Sequence, residues 1–306
     1  MTLTNASEGG VGSIITKYRH SWRYYFWATA IPWAFWFAAA AISRVEQPTH
    51  ELVVAESVLG VLGLLGPMVI ALVLIGSDRT LLRDFYGRVL NFRASRPVYW
   101  IVACTLMPLS ILTAMAISLK FGYSASQFQL AARASFTSGI FPVWFLLLLA
   151  PTLEELGWHT YGTDCLRSRF NLFTTSIIFA VYWAIWHAPL ALIRGYYQSN
   201  LVHQGLWDAL NFPVSIIPFV LIMNWLYYRT ARNILVAIIF HITSGYFNEL
   251  FATHPDSKII QTGLLLAFAV VVLCLDWRLF FRREPEQAGD KIGVPSIEFL
   301  PRRTKM

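Results

Sequence analysis

Along most of the chain the apolar positions neither alternate nor mark one helix face; they run on, with charged residues confined to the ends of the runs. Eight windows lack any Asp, Glu, Lys or Arg: Tyr24 to Ser43, Ser57 to Ser77, Pro97 to Leu119, Ala134 to Leu153, Leu172 to Ile193, Ala209 to Tyr228, Asn233 to Asn248 and Ile259 to Leu275. A helix needs roughly 20 predominantly apolar residues to cross a bilayer, so most of these reach across unaided and the seventh does so if it continues through Phe251. The pattern predicts an all-α, polytopic membrane bundle of about eight transmembrane helices. A β-barrel would show short alternating strands instead.

Composition agrees: 56% of the 306 residues are hydrophobic and 13% charged, about half the charged share of a soluble domain. Charge then orients the bundle. With the N-terminus placed in the cytoplasm, 19 of the 24 Lys and Arg fall on inner segments and five on outer ones, so both termini are expected to be cytoplasmic. The net charge of +7 is accounted for by this topology and by attraction of the tail to anionic lipid, without nucleic acid. The first run is too long and too rich in Trp for a cleaved signal core. No linker or internal repeat divides the chain. The expected organisation is a cytoplasmic segment over residues 1–23, one transmembrane domain over 24–281 and a basic cytoplasmic tail over 282–306, with short disordered ends near Met1 to Ser13 and Glu284 to Met306. Cys104, Cys165 and Cys274 are too few and scattered for a disulfide framework or a metal site, and are expected to be reduced.

Ionisable groups at membrane depth are costly and face the bundle interior or a water-filled cavity, so the informative residues are the polar ones inside the runs. The fourth run ends in Glu154, Glu155 and His159; the fifth carries His187 with Trp183 one turn before it; the seventh carries His241, then Ser244, Gly245 and Asn248. Asn224 in the sixth is the weakest of the set. Glu155 and His159, four apart, share a helix face and are positioned to pair, while Glu154 points about 100° away. Two acids and two histidines on three converging helices are what amide hydrolysis requires, a base for water and donors for the oxyanion.

Taken singly, each residue has a plainer reading. Glu154 and Glu155 mark a helix exit, His187 and His241 are packing histidines bonded to a neighbouring helix, Asn248 is a residue at a helix end, and Trp183 and Trp186 are lipid- or core-facing bulk rather than site walls. The glycines of SVLGVLGLLG read as a close helix contact. Glu154 stands about 21 Å along its helix from Ile140, and His187 about 22 Å from Leu172 on the opposite journey, so straight helices leave the two at different levels, which a later start of the fifth helix, a tilt or a water-filled funnel would reconcile.

The motifs EELGWH (Glu154 to His159), WAIWH (Trp183 to His187) and FHITSG around His241 resemble those of the type II CAAX prenyl endopeptidases and their prokaryotic relatives, the CAAX protease and bacteriocin-processing or abortive-infection family. The resemblance covers about residues 140–251. It implies an intramembrane endopeptidase in which Glu154 activates water, His187 holds the water or shuttles its proton, His241 assists the oxyanion, and Glu155 is a second acid held by His159. Trp183, Ser244 and Asn248 are supporting candidates. The implied substrate is a hydrophobic or lipidated peptide, prenylated in the eukaryotic branch, and the implied location is a prokaryotic cytoplasmic membrane. No cofactor is implied. Two positions depart from the family pattern: His159 stands where the first motif has Arg, and Gly245 where the third has Asn or Asp. Arg is permanently charged and bidentate and His is neither. The alternative function is therefore a catalytically weak or inactive member acting as a membrane peptide-binding, immunity or scaffold protein. A zinc hydrolase using Glu154 or Glu155 with His187 and His241 is a third reading, although no HExxH is present. A transporter would carry inverted repeats.

Overall fold

The computed structural model describes residues 14–89, 96–137 and 139–282; the expected disordered ends lie outside them. The described residues form helices α1 (Ser21–Ile42), α2 (His50–Gly76), α3 (Arg79–Val89), α4 (Pro97–Ser118), α5 (Val143–Gly157), α6 (Thr163–Arg167), α7 (Leu172–Trp186), α8 (Tyr197–Gln204), α9 (Leu206–Arg229), α10 (Ile234–Leu250), α11 (Pro255–Leu275) and α12 (Trp277–Phe281). Extended pairing among them is limited to one isolated bridge, Leu130 with Phe251. The molecule is all-α.

Among the described residues six helices are long and apolar enough to cross a membrane: α1, α2, α4 continued to Phe121, α7 continued to Leu192, α9 and α11. The other two expected spans are shorter. One is α10, with 17 residues. The other is α5, and here the sequence reading needs correction, because Glu154 to His159 is not a helix end. From Gly157 the backbone passes through a π-helical turn, Trp158–Gly162, and continues into α6. About 20 Å of helix therefore lies between Glu154 and the far end of α6, close to the 22 Å that separates Leu172 from His187. The two residues stand at one level, and the mismatch in depth disappears.

Close packing of α1 on α2 explains the glycine run. A Cβ on Gly63 would sit 2.1 Å from the Trp36 indole nitrogen, and one on Gly66 would sit 2.8 Å from the Pro32 ring. The same indole nitrogen donates to the Gly60 carbonyl at 3.1 Å. Small residues let helix backbones approach where lipid supplies no hydrophobic drive between them. Gly157 does the same for α5, since a Cβ there would lie 2.7 Å from the Pro67 carbonyl carbon of α2. α5 is thereby set between α2 and α10, with α7, α9 and α11 completing the bundle.

The described chain ends meet at one end of the bundle. The Ser168 hydroxyl donates to the Tyr18 carbonyl, and the Arg167 and Arg169 guanidiniums reach the carbonyls of Arg282 and Arg19. Tyr18, in the segment preceding the first span, is buried. Its hydroxyl donates to Asp84 at 2.6 Å and accepts from Arg88, and burial pushes its pKa above the ordinary value, so it remains a neutral donor. Next to it Arg232 bridges Asp84 and Asp164. Ala231 and Arg232 both adopt left-handed backbone, with φ of 53° and 62°, an uncommon conformation for residues other than glycine. That turn between α9 and α10 aims Arg232 inward.

Candidate active site

Glu154 and Glu155 are buried on α5, and their partners separate them. The Trp183 indole donates to Glu154 Oε2 at 2.9 Å. Both oxygens of Glu155 are engaged by histidines: Oε1 by Nδ1 of His241 at 2.7 Å, and Oε2 by Nδ1 of His159. The i to i+4 pairing expected for Glu155 and His159 is present, and His241 joins it from α10. Glu154 Oε1 is the carboxylate oxygen left for other work.

His187 is the residue just after α7, where helix carbonyls lack an intrahelical partner. Its Nδ1 meets the Trp183 carbonyl at 2.6 Å. A carbonyl only accepts, so Nδ1 carries the proton and Nε2 of the neutral ring is the acceptor. Trp183 also packs against both histidines, tilted against His187 and edge-on to His241, its ring centroid 5.4 Å and 5.2 Å away respectively. Trp183 is core-facing, as one of its plainer readings had it, and also lines the cavity. Trp186 is core: fully buried, it donates to the Ala28 carbonyl.

Glu154, Trp183, His187, His241, Ser244 and Asn248 line one cavity of about 540 Å³. Asn248 does not reach the acids; its amide donates to Glu249 at 2.9 Å. Gly245 faces the same cavity, and a Cβ built there would meet only Leu147, at an ordinary 3.7 Å. The site leaves room for a side chain where the family motif has Asn or Asp.

Asn224 carries more weight than its sequence context suggests. Its Oδ1 lies 3.0 Å from His159 Nε2, and its Nδ2 donates to Ser176 Oγ at 2.9 Å. Because Ser176 Oγ donates its own proton to the Leu172 carbonyl, the amide orientation is determined and His159 Nε2 must donate. His159 Nδ1 faces a carboxylate, so His159 bonds as a two-sided donor, the role a fork-shaped arginine would fill. Phe212 and Phe219, against His187 and His241 respectively, also line the cavity. Sequence reasoning passed over them because aromatic residues in an apolar run carry no distinguishing mark.

The π turn lies directly below the acids. Its irregular backbone frees carbonyls, which buried side chains satisfy: Arg88 donates to the carbonyls of His159 and Thr160, each at 2.9 Å, and Tyr227 donates to that of His159 at 2.7 Å. Extra-residue turns of this kind occur frequently at functional sites. Among the described residues no group of three or more His, Cys, Asp or Glu is arranged to hold a metal ion. The three cysteines are free thiols, and Cys165 is buried.

Comparison with known proteins agrees with the motifs. A family model described as type II CAAX prenyl endopeptidase Rce1-like matches residues 136–247, which contain Glu154, His187 and His241. The chain is 36% identical over 275 residues to a curated CAAX prenyl protease 2 of Methanococcus maripaludis, covering 88% of this chain and 99% of that protein. The chain belongs to the Rce1-like type II CAAX prenyl endopeptidases, a family of proteases, and is an integral membrane protein.

Proposed function

We propose that the protein is an intramembrane endopeptidase that cleaves a hydrophobic or lipid-bearing peptide with water activated by Glu154. The observation that carries this reading is the different engagement of the two acids: Glu155 is bound by two histidines, while Glu154 keeps one oxygen unengaged in a cavity shared with His187 and His241. A water between Glu154 Oε1 and His187 Nε2 loses a proton to the carboxylate as its oxygen attacks the peptide carbonyl. His241, its Nδ1–H held by Glu155, acts as an imidazolium and donates Nε2–H to the carbonyl oxygen as charge develops there. When the C–N bond breaks, the proton on Glu154 passes to the leaving amine, giving a free carboxyl and a free amine. No cofactor enters this scheme.

Purified protein in liposomes, given a farnesylated peptide with a C-terminal CaaX sequence and an unmodified apolar peptide, is expected to cut at least one. Glu154→Gln and His187→Ala each abolish the cut, and a chelator has no effect. Turnover retained in Glu154→Gln defeats the glutamate mechanism, and loss on chelation moves the reading to a metal hydrolase.

A second reading rests on Gly245. With no side chain at a position where the family carries a donor, the protein acts as a peptide-binding, immunity or scaffold factor of the same fold. Binding of the peptides without cleavage, unchanged in Glu154→Gln, supports that alternative.

A further inference from the structure

Arg88 lies on α3, outside the residues matched by the family model, and is buried. Its guanidinium touches the chain on both sides of the π turn. Nη1 donates to the His159 carbonyl at 2.9 Å and to Asp164 Oδ2 at 3.1 Å; Nη2 donates to the Thr160 carbonyl at 2.9 Å and to the Tyr18 hydroxyl at 2.6 Å. The four Nη hydrogens are matched to four acceptors. Nε forms an ion pair with Asp84, one helical turn back on α3, at 2.8 Å, so the fork is held from behind.

The register of the π turn decides where the acids point. Such a turn holds one residue more than the α turn it replaces, and each helical residue adds about 100° of rotation. Closing the turn to α geometry would rotate α5 against α6 by that angle. α6 is the pinned side: Asp164 is fully buried, paired with Arg88 and Arg232, and accepts from the Tyr228 hydroxyl at 2.9 Å. The rotation would therefore fall on α5 and carry Glu154 and Glu155 away from Trp183 and His241. α geometry would also return the His159 and Thr160 carbonyls to the helix and leave guanidinium donors unpaired in the interior, which is costly. The fork thus favours the π form.

We infer that Arg88 is a positioning residue for the two acids: by tying the His159 and Thr160 carbonyls to Asp164 it locks the π turn, and with it the His159 ring on Glu155 and Glu155 on His241. Arg88 is not among the residues that line the cavity, so it acts through the turn and touches no substrate. Its effect on rate rests on the endopeptidase reading; its effect on the His159 ring does not.

The test uses the full chain in detergent with 15N-labelled histidine. The Nδ1 protons of His159 and His241, both directed at Glu155, give downfield resonances identified by their loss in His159→Gln and His241→Gln. Arg88→Lys keeps a cation beside Asp164 but cannot span two carbonyls and a carboxylate. It is expected to remove or shift the His159 resonance and, on a peptide that the wild type cuts, to lower kcat by up to about 100-fold with KM unchanged. An unchanged His159 resonance, or a lower melting temperature with kcat retained, overturns the inference. Arg88→Gln, for which Arg232 remains the cation of Asp164, serves the same measurements where Arg88→Lys is not produced. If the wild type cuts no peptide, the endopeptidase reading fails and the histidine spectrum alone decides whether Arg88 positions the site.

Discussion

The Trp183 indole nitrogen donates to Glu154 Oε2 at 2.9 Å from the same residue whose carbonyl meets His187 Nδ1 at 2.6 Å. One residue thus sets the carboxylate by its side chain and the imidazole by its backbone. Trp183→Phe keeps the carbonyl and most of the aromatic wall and removes the donor. A hydrogen bond to a charged group contributes about 1.5–3 kcal/mol, so kcat on a cleaved peptide is expected to fall by about 10–100-fold, with binding of the uncut peptide little changed.

Gly245→Asn restores the residue type of the family motif at a position where the nearest atom to a new Cβ is Leu147 at 3.7 Å. An oxyanion donor contributes about two to three orders of magnitude in rate. Turnover is expected to rise toward that factor with Tm unchanged. No gain, with the fold intact, means that Ser244 or another group already supplies the donor.

His159 holds one oxygen of a buried carboxylate and is itself held by Asn224. His159→Ala strips Glu155 of one hydrogen-bond partner, and leaving a buried polar group unsatisfied costs about 1–3 kcal/mol, more where it is charged. Melting in detergent is expected to fall sharply, and cleavage with it, because His241 shares the same carboxylate. His159→Lys, with a point charge in place of two directed donors, is expected to recover only part of the loss.

Arg232→Met leaves Asp164, fully buried, with Arg88 as its remaining cation. Breaking a buried ion pair by removing one member costs about 3–5 kcal/mol. The double variant Arg232→Met with Asp164→Leu removes both charges and is expected to melt closer to the wild type than the single variant does. Equal losses in the two indicate that the turn at Ala231 and Arg232, rather than the ion pair, carries the stability.

How much of this was legible in the sequence depended on what each signal measures. Apolar runs report burial in lipid, because every backbone group there must be satisfied within a helix; the all-α class and the count of eight runs were readable directly, although six helices among the described residues meet the length and apolarity of a span. Four-residue spacing reports a shared helix face, and so Glu155 and His159 were paired correctly. The motifs brought the chain to its family. What failed was the helix end at Glu154 to His159. Charged residues normally mark such an end, and a π turn whose carbonyls are satisfied by Arg88 and Tyr227, distant in sequence, leaves no local trace.

Sequence by itself therefore determined the membrane fold, the family and the residues worth watching, since hydropathy and spacing are properties of a single segment. Only the tertiary structure decided which acid is engaged by histidines and which keeps an oxygen unengaged, that Trp183 is a wall of the site, and that Asn224 supports His159. Each of these depends on which neighbour a side chain meets across helices, and those meetings are set by the close backbone approaches at Gly63, Gly66 and Gly157 and by the inward turn at Arg232.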